Sequence, residues 1–536
     1  MTDPRIHDLY RMLVENRISR RRFMQAASAM GISATATSFF LQAANVRAQG
    51  ATPPPVAQGD GTMFAGQEIS VQVIDASVKL PLEEARAEFE TATGAKLTII
   101  ADPIENAFSK LIEDAVNGTN AIDGSVIGMW WLGELVEGDY VLSYDDYYND
   151  TSGKFPAFKA EDEFVGMQAL RMYDGKRYVL PYDCDGQALY YRRDILTDPT
   201  WMDQYKSATG EDLAVPTTWD QMIKISQFFT GKNFNNNPDG GHGVSMHLKV
   251  GGQGMFHFMS LSAPYVIGPE NKNLYWFDPE TMDPLIQSAG HVKAMQAYLD
   301  LAKTGPEAQL GWALGEAWDY FLNGNAIFTY SWGDVLPLAI EGDRAVRGKV
   351  GTAQLPGTMA YTNPKTGQEY TTTDVNFVGN TTGGSWAPVI MKATEYPEAC
   401  YYFFAMLATE PKQRFYAGRG SDGVDPGKVY QMPPEAMDGG TGKIEDYTSQ
   451  GFTADEAIEY CKAYYQTFNN PNQLPYLRIP GTADYWSKLD IRLSEAVSGG
   501  QAPEDACANT AKDWNDITEQ LGRDAQLASY KRSLGL

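Results

Sequence analysis

The chain has 536 residues, a formal net charge of −25, and 12% aromatic side chains, among them 11 Trp and 30 Tyr. A surface this acidic repels nucleic acid and anionic membranes, and the length exceeds one small domain, so two or three lobes are expected. The four cysteines (Cys184, Cys400, Cys461 and Cys507) form no C-x-x-C pair and the histidines are scattered, so no zinc, haem or iron–sulfur ligand set is legible and no metal or cofactor is expected.

The chain opens with a basic stretch containing Ser19-Arg20-Arg21-Arg22-Phe23. A weakly apolar run from Ala26 to Ala44 follows, closed by Val46-Arg47-Ala48. Basic, mildly apolar and small-x-Ala segments in that order make a cleavable export signal over residues 1–48. The run is too short and too polar for a stable membrane span. Its arginines and phenylalanine resemble the twin-arginine export motif, an address read by a receptor. That resemblance implies export of a folded protein, the twin-arginine translocase as a transient partner, and a periplasmic location. No cysteine lies near the cleavage point, which argues against a lipid anchor. Residues 49–66, with Pro53-Pro54-Pro55 and several glycines, have the composition of a flexible linker.

Beyond residue 66, Ile69–Ile74 reads as a buried strand. Leu82, Ala85 and Phe89 then mark one face of a helix that stops at Gly94. Lys96–Ile100 is a second strand. Phe108, Leu111, Ile112 and Ala115 share the face of a second helix ending at Gly118. Ser125–Met129 is a third strand. Alternating strands and helices at this spacing predict βαβ units, with any ligand at the carboxyl ends of the strands. Further on, Lys176–Pro181, Ala188–Arg192 and Ala326–Tyr330 read as strands. Thr217 or Thr218 caps a helix opening at Trp219-Asp220. Ala294–Lys303 and Glu316–Leu322 are helical, and Pro397 starts a helix with Ala399, Phe403, Met406 and Leu407 on one face. Trp486, Leu489, Leu493 and Val497 share the face of a penultimate helix, and Cys507, Ala511, Trp514 and Thr518 the face of the next. Residues 231–243 and 418–450 read as loop-rich.

Several segments, in order, resemble the maltose-binding-protein-like group of extracellular solute-binding proteins that serve ABC importers. They include Thr93-Gly94-Ala95-Lys96-Leu97, Val126-Ile127-Gly128-Met129-Trp130-Trp131 and Leu142-Ser143-Tyr144-Asp145. They continue through Gly175–Asp183, Pro216–Asp220, Phe321–Ala326, Ser331-Trp332, Val350–Gly357, Gly383-Gly384-Ser385-Trp386 and Ile479-Pro480. Together they span roughly residues 68–520. The resemblance implies an α/β fold of two lobes, the type II periplasmic binding protein fold. Each lobe would be a mixed, mainly parallel sheet flanked by helices, with a cleft at a hinge. Lobe 1 would hold 67–183 plus about 387–425, and lobe 2 about 188–383 plus about 430–536, with the boundaries in 231–290 and 418–475 open. It also implies capture of a sugar, oligosaccharide or polyol by hinge closure, and delivery to ABC permease subunits.

Carried over residue by residue, the cleft positions are Asp75 and Ser77 after the first strand, and Met129 and Trp130 after the third. Asp183 and Asp185 lie on the first crossing between lobes, Trp332 and Asp334 on an aromatic platform, and Trp386 on the second crossing. Arg419, Asp422, Tyr485 and Trp486 complete the set. The chemistry suits a polyhydroxylated ligand: indole faces stack on sugar C–H groups, and a carboxylate accepts hydrogen bonds from adjacent hydroxyls. Trp219 and Trp514 read as core. The competing readings are a binder of a polyamine or other non-sugar solute on the same fold, and an exported glycoside hydrolase using Asp183 and Asp185 as its carboxylate pair.

Overall fold

The structure is a computed structural model that describes residues 52–381 and 385–536; the export segment and Gly383-Gly384 lie outside these residues. Its strands are β1 (Glu68–Ile74), β2 (Lys96–Asp102), β3 (Gly124–Gly128), β4 (Val141–Leu142), β5 (Ala188–Arg192), β6 (His242–Ser245), β7 (Ala326–Ser331), β8 (Val350–Ala353), β9 (Thr358–Thr362), β10 (Glu369–Asn376) and β11 (Trp386–Met391), with a two-residue ribbon at 172–177. The helices that matter below are α1 (Leu80–Thr93), α2 (Ile104–Asn117), α3 (Trp219–Phe229), α4 (Met255–Val266), α5 (Ala289–Ala302), α6 (Leu314–Leu322), α7 (Pro397–Ala408), α8 (Glu410–Arg419), α9 (Ala454–Phe468), α10 (Thr482–Val497), α11 (Pro503–Leu521) and α12 (Arg523–Leu534).

Two sheets organise the chain. The first has the order β2-β1-β3-β11-β4 and the second β8-β5-β7-β6. In the first, β1 pairs in parallel with β2 and β3, while β11 runs antiparallel to β3 and β4. In the second, β6 and β7 are parallel, but β5 is antiparallel to both β7 and β8. Both sheets are mixed, as expected, with a larger antiparallel share than the expected mainly parallel pairing. The cause is connectivity: β5 and β11 are the strands that enter a lobe from the hinge, and each runs against its neighbours.

Local sequence explains the elements. On α1, Leu82, Ala85 and Phe89 are fully buried, and Gly94 closes the helix at φ 77°, a left-handed conformation that costs glycine little. Phe89 meets Phe403 of α7 at 5.2 Å between ring centroids. Thr218 caps α3 in a reciprocal capping box with Gln221. β3, β5, β7 and β11 are buried along their whole length, which is why they read as continuous apolar runs.

Three differences from the sequence reading bear on the site. Met129 is not strand; β3 ends at Gly128, and Met129–Trp131 is a turn of 3₁₀-helix. The segments 231–290 and 418–475, whose boundaries the sequence left open, contain α4 and α9, and α8 runs up to the start of the second. These were hard to see because α4 is apolar all round and α8 has no apolar stripe. The described part of the expected linker packs on lobe 1, with the Val56 and Ala57 N–H groups donating to Glu88 and Phe64 buried. The last helix, α12, reaches back to lobe 1, where Arg532 pairs with Glu137 at 2.6 Å.

Candidate functional site

The chain passes between the sheets first at about 181–187 and again where residues 377–381 lead toward Ser385, and a third segment around 420–428 runs beside both. One side chain ties the three together. The Asp183 carboxylate accepts the backbone N–H of Trp386 at 3.1 Å and that of Asp425 at 3.0 Å, while its own carbonyl oxygen accepts from Arg171 at 2.7 Å. Asp425 extends the link into lobe 2. It accepts the Gly333 N–H at 3.0 Å, the Tyr460 hydroxyl at 2.9 Å and the Tyr464 hydroxyl at 2.6 Å. Gly333 is obligatory here, since a Cβ would stand 2.0 Å from the Asp425 Oδ1. Behind these, Arg171 makes a bidentate pair with Glu163, both fully buried, at 3.0 and 3.1 Å.

A cleft of about 810 Å³ opens in front of this hinge. Lobe 1 supplies the loop after β1 (Asp75, Ala76, Ser77), the end of β2 (Asp102) and Trp130. Lobe 2 supplies α6 (Trp318, Asp319), Gln253 and the Trp332–Asp334 turn after β7. The crossings contribute Asp185 and Trp386. The size fits a small solute rather than a polymer. Four indoles therefore face one space from both lobes. They are held by ring contacts: Trp130 meets Trp386 at 5.4 Å and 76°, and Trp332 is backed by Phe256 at 5.7 Å and His247 at 5.5 Å. The Trp318 N–H donates to the Ser331 hydroxyl at 2.8 Å, which fixes its ring.

Of the thirteen residues expected at the site, seven line this cleft: Asp75, Ser77, Trp130, Asp185, Trp332, Asp334 and Trp386. The structure does not bring the other six there. Met129 is fully buried under the 3₁₀ turn. Asp183 is fully buried and occupied as the hinge tie. Arg419 forks onto Glu84, with both bonds 3.0 Å, and also holds Asp422, so Ser421 and Gly423 line the cleft in their place. Tyr485 packs on Phe277 and Trp514, with its hydroxyl on Thr518 at 2.9 Å. Trp486 sits behind Trp130 at 6.1 Å, boxed by Phe256, Trp276 and Tyr476. The reason is common to the last pair: α10 packs on α11 and turns its apolar face inward, so its rings join the core.

The sequence reading missed Gln253, Trp318, Asp319, Asp102 and Asp425. Trp318 and Asp319 lie on the helix Glu316–Leu322 that the sequence did show, but its cleft-facing side is set only by packing on β7. Gln253 has φ 69°, a left-handed backbone for a non-glycine residue at the mouth of the site.

The electrostatics are one-sided. Asp185 has its carboxyl held well above the usual range, first by burial and then by Asp183, Asp425 and Asp334. Burial and Asp183 push Asp334 up to about 7. Asp425 is raised by burial, Asp334 and Asp183. Oxygens of Asp183, Asp185 and Asp425 lie within 4.8 Å of one another, close enough to share one ion. Two of the three already serve as acceptors for the hinge.

Two lobes, a hinge crossed repeatedly and a ring-lined cleft between them define a two-lobed solute-binding protein. Residues 84–438 match the family model described as bacterial extracellular solute-binding protein, and the chain belongs to that family. Solved structures share the fold. An ABC transporter solute-binding protein from Agrobacterium radiobacter K84 in complex with ribitol matches with TM-score 0.63 at 18% identity, over 85% of this chain and all of that one. One from Agrobacterium vitis S4 with bound D-mannitol gives 0.61 at 17% identity, over 85% and 99%. Maltose-bound MalE3 of T. maritima gives 0.60 at 19% identity, over 84% and 100%. No described helix is long and apolar enough to cross a membrane.

Proposed function

We propose that this chain is the substrate-binding component of an ABC importer and that it captures a sugar, oligosaccharide or polyol in the cleft. The observation that carries this is the convergence of Trp130, Trp318, Trp332 and Trp386 from both lobes on one space that also receives Asp185, Asp334 and Gln253. Flat apolar faces with a few acceptors among them are what a polyhydroxylated ring or chain needs. Closure of the lobes on the solute would exclude water and present one docked surface to a membrane permease. The ribitol, mannitol and maltose complexes of proteins with this fold support that solute class. The withdrawal of Asp183 from the cleft speaks against the paired carboxylates of a glycoside hydrolase. The basic, apolar and small-x-Ala order of residues 1–48 supports export through the twin-arginine route to the periplasm. A thermal-shift screen of the protein from residue 49 onward, against sugars, oligosaccharides and polyols, tests the reading. A binder gains stability with ligand concentration. A melting temperature unmoved by every carbohydrate sinks it.

A further inference from the structure

Charge balance in the cleft narrows the solute. Five carboxylates reach it: Asp75, Asp102, Asp185, Asp319 and Asp334. Three have their own cation. Asp75 pairs with Lys79, Asp102 with Lys110, and Asp319 with Arg344 at 2.9 Å. Asp185 and Asp334 have no ion pair among the described residues, and Asp185 is only 9% exposed. Behind them stand Asp183 and Asp425, whose carboxyl oxygens accept N–H and hydroxyl donors while burial raises both above the usual carboxylate range. The buried cations next to Asp183, Arg171 and Lys428, are committed to Glu163. Four carboxyl groups thus crowd one corner, and the cations near it are engaged elsewhere: Arg171 and Lys428 with Glu163, Lys110 with Asp102 and Arg344 with Asp319.

A buried charge without a counter-charge is costly, and crowding of like charges adds to that cost. These carboxyls meet that cost by holding their protons more tightly than usual, and a neutral solute would leave them so. A solute with its own positive charge would relieve that cost. The walls suit such a group, because the negative face of an indole attracts a cation within about 6 Å of the ring. The cleft also keeps acceptors and rings for hydroxyl-bearing carbon, beyond what a bare amine uses.

We infer that the solute is a polyhydroxylated amine, an amino sugar or amino polyol in its ammonium form, whose charged nitrogen rests on Asp185 and Asp334 beside the Trp332 and Trp386 rings. This rests on the cleft being the solute site. It names a charge that the neutral carbohydrate reading lacks.

Isothermal titration with matched pairs at pH 7 tests it: glucosamine against glucose, galactosamine against galactose, and glucamine against sorbitol. Putrescine and calcium chloride alone serve as further probes. The amine of at least one pair is expected to bind about tenfold or more tightly than its neutral twin, the ratio one charge-assisted contact supports. Asp185→Asn and Asp334→Asn should each bring the ratio between the amine and its neutral twin down toward one, whatever they do to the affinity of the twin itself. Equal affinity for both members of every pair overturns the inference and leaves the carbohydrate reading standing. Putrescine binding as tightly as any amino sugar overturns the hydroxylated half of it. Calcium binding that Asp185→Asn abolishes assigns the carboxylates to a metal and overturns it as well. If no carbohydrate of either kind binds, the broader function fails first, and the inference fails with it. Neither Asp185 nor Asp334 ties the crossings together through its carboxylate, so both Asn variants are expected to fold. Should one not fold, the twin comparison on the unmodified chain decides alone.

Discussion

Replacing Gly333 by alanine should uncouple the aromatic platform from the hinge. The added Cβ would stand 2.0 Å from the Asp425 Oδ1 and 2.4 Å from the Tyr460 hydroxyl, so one partner must move by more than an ångström. Tyr460 donates to that same oxygen at 2.9 Å, and the Gly333 N–H donates to Asp425 Oδ2 at 3.0 Å. Overpacking in a dense region costs about 1–3 kcal/mol, and a lost hydrogen bond to a charged group costs about 1.5–3 kcal/mol more. The variant should therefore lose about 3–5 kcal/mol of unfolding free energy in urea, read from the midpoint at unchanged slope. Because Trp332 and Asp334 flank the position, affinity for the best solute from the screen should fall with it. Gly311→Ala is the control, since nothing lies within 4 Å of a Cβ there. It should stay within about 0.5 kcal/mol of the parent. If Gly333→Ala matches that control in both stability and affinity, the tie from Asp183 through Asp425 to the platform does not work as described.

Trp332→Ala and Trp486→Ala should separate binding from packing. The first removes a cleft wall and should cost at least about 2 kcal/mol of binding, while the second leaves a core cavity and should cost about 3–5 kcal/mol of stability in denaturation. Equal effects of the two on both measurements would refute the placement. Stability should also depend on pH through the crowded carboxylates. Asp334 has a folded pKa of about 7, above its unfolded value, so the native state holds the extra proton. That stabilisation is complete below about pH 4 and lost as pH rises through about 7. Asp422 and Asp490, both raised to about 6, act in the same direction. The melting temperature should fall from pH 5 to pH 8, and Asp334→Asn should flatten the slope. A wild-type curve rising over that range contradicts the assignment. The four thiols are buried and unbridged, and burial pushes the Cys184, Cys461 and Cys507 thiols up to about 12. A thiol reagent should therefore count none in the native protein and four after denaturation, and reductant should leave the melting temperature unchanged.

The periodic elements were legible because local physics writes them. Alternating strand and helix patterns from Ile69 to Met129, the stop at Gly94 and the cap at Thr218 each need only neighbours in sequence. The all-apolar α4 and the stripe-less α8 were not, since periodicity has nothing to report where every side is buried or none is. At the site, the residues that follow strand ends were readable, because in such sheets the strand ends are where ligands meet the fold. Asp75, Trp130 and Trp332 are of that kind.

The sequence by itself determined which chemistry was available: an acidic chain rich in indoles, two alternating α/β lobes and carboxylates near the crossings. Only the tertiary structure decided how each group is used. Asp183 and Asp185 are two residues apart, yet one is spent on backbone N–H groups from two distant segments and the other is left facing the cleft without a counter-ion. Tyr485 and Trp486 were expected at the cleft, but Tyr485 packs on Trp514 of α11 and Trp486 is enclosed by Phe256, Trp276 and Tyr476. Sequence spacing fixes what a residue can do, whereas its role depends on which donors and cations the fold brings within a few ångströms.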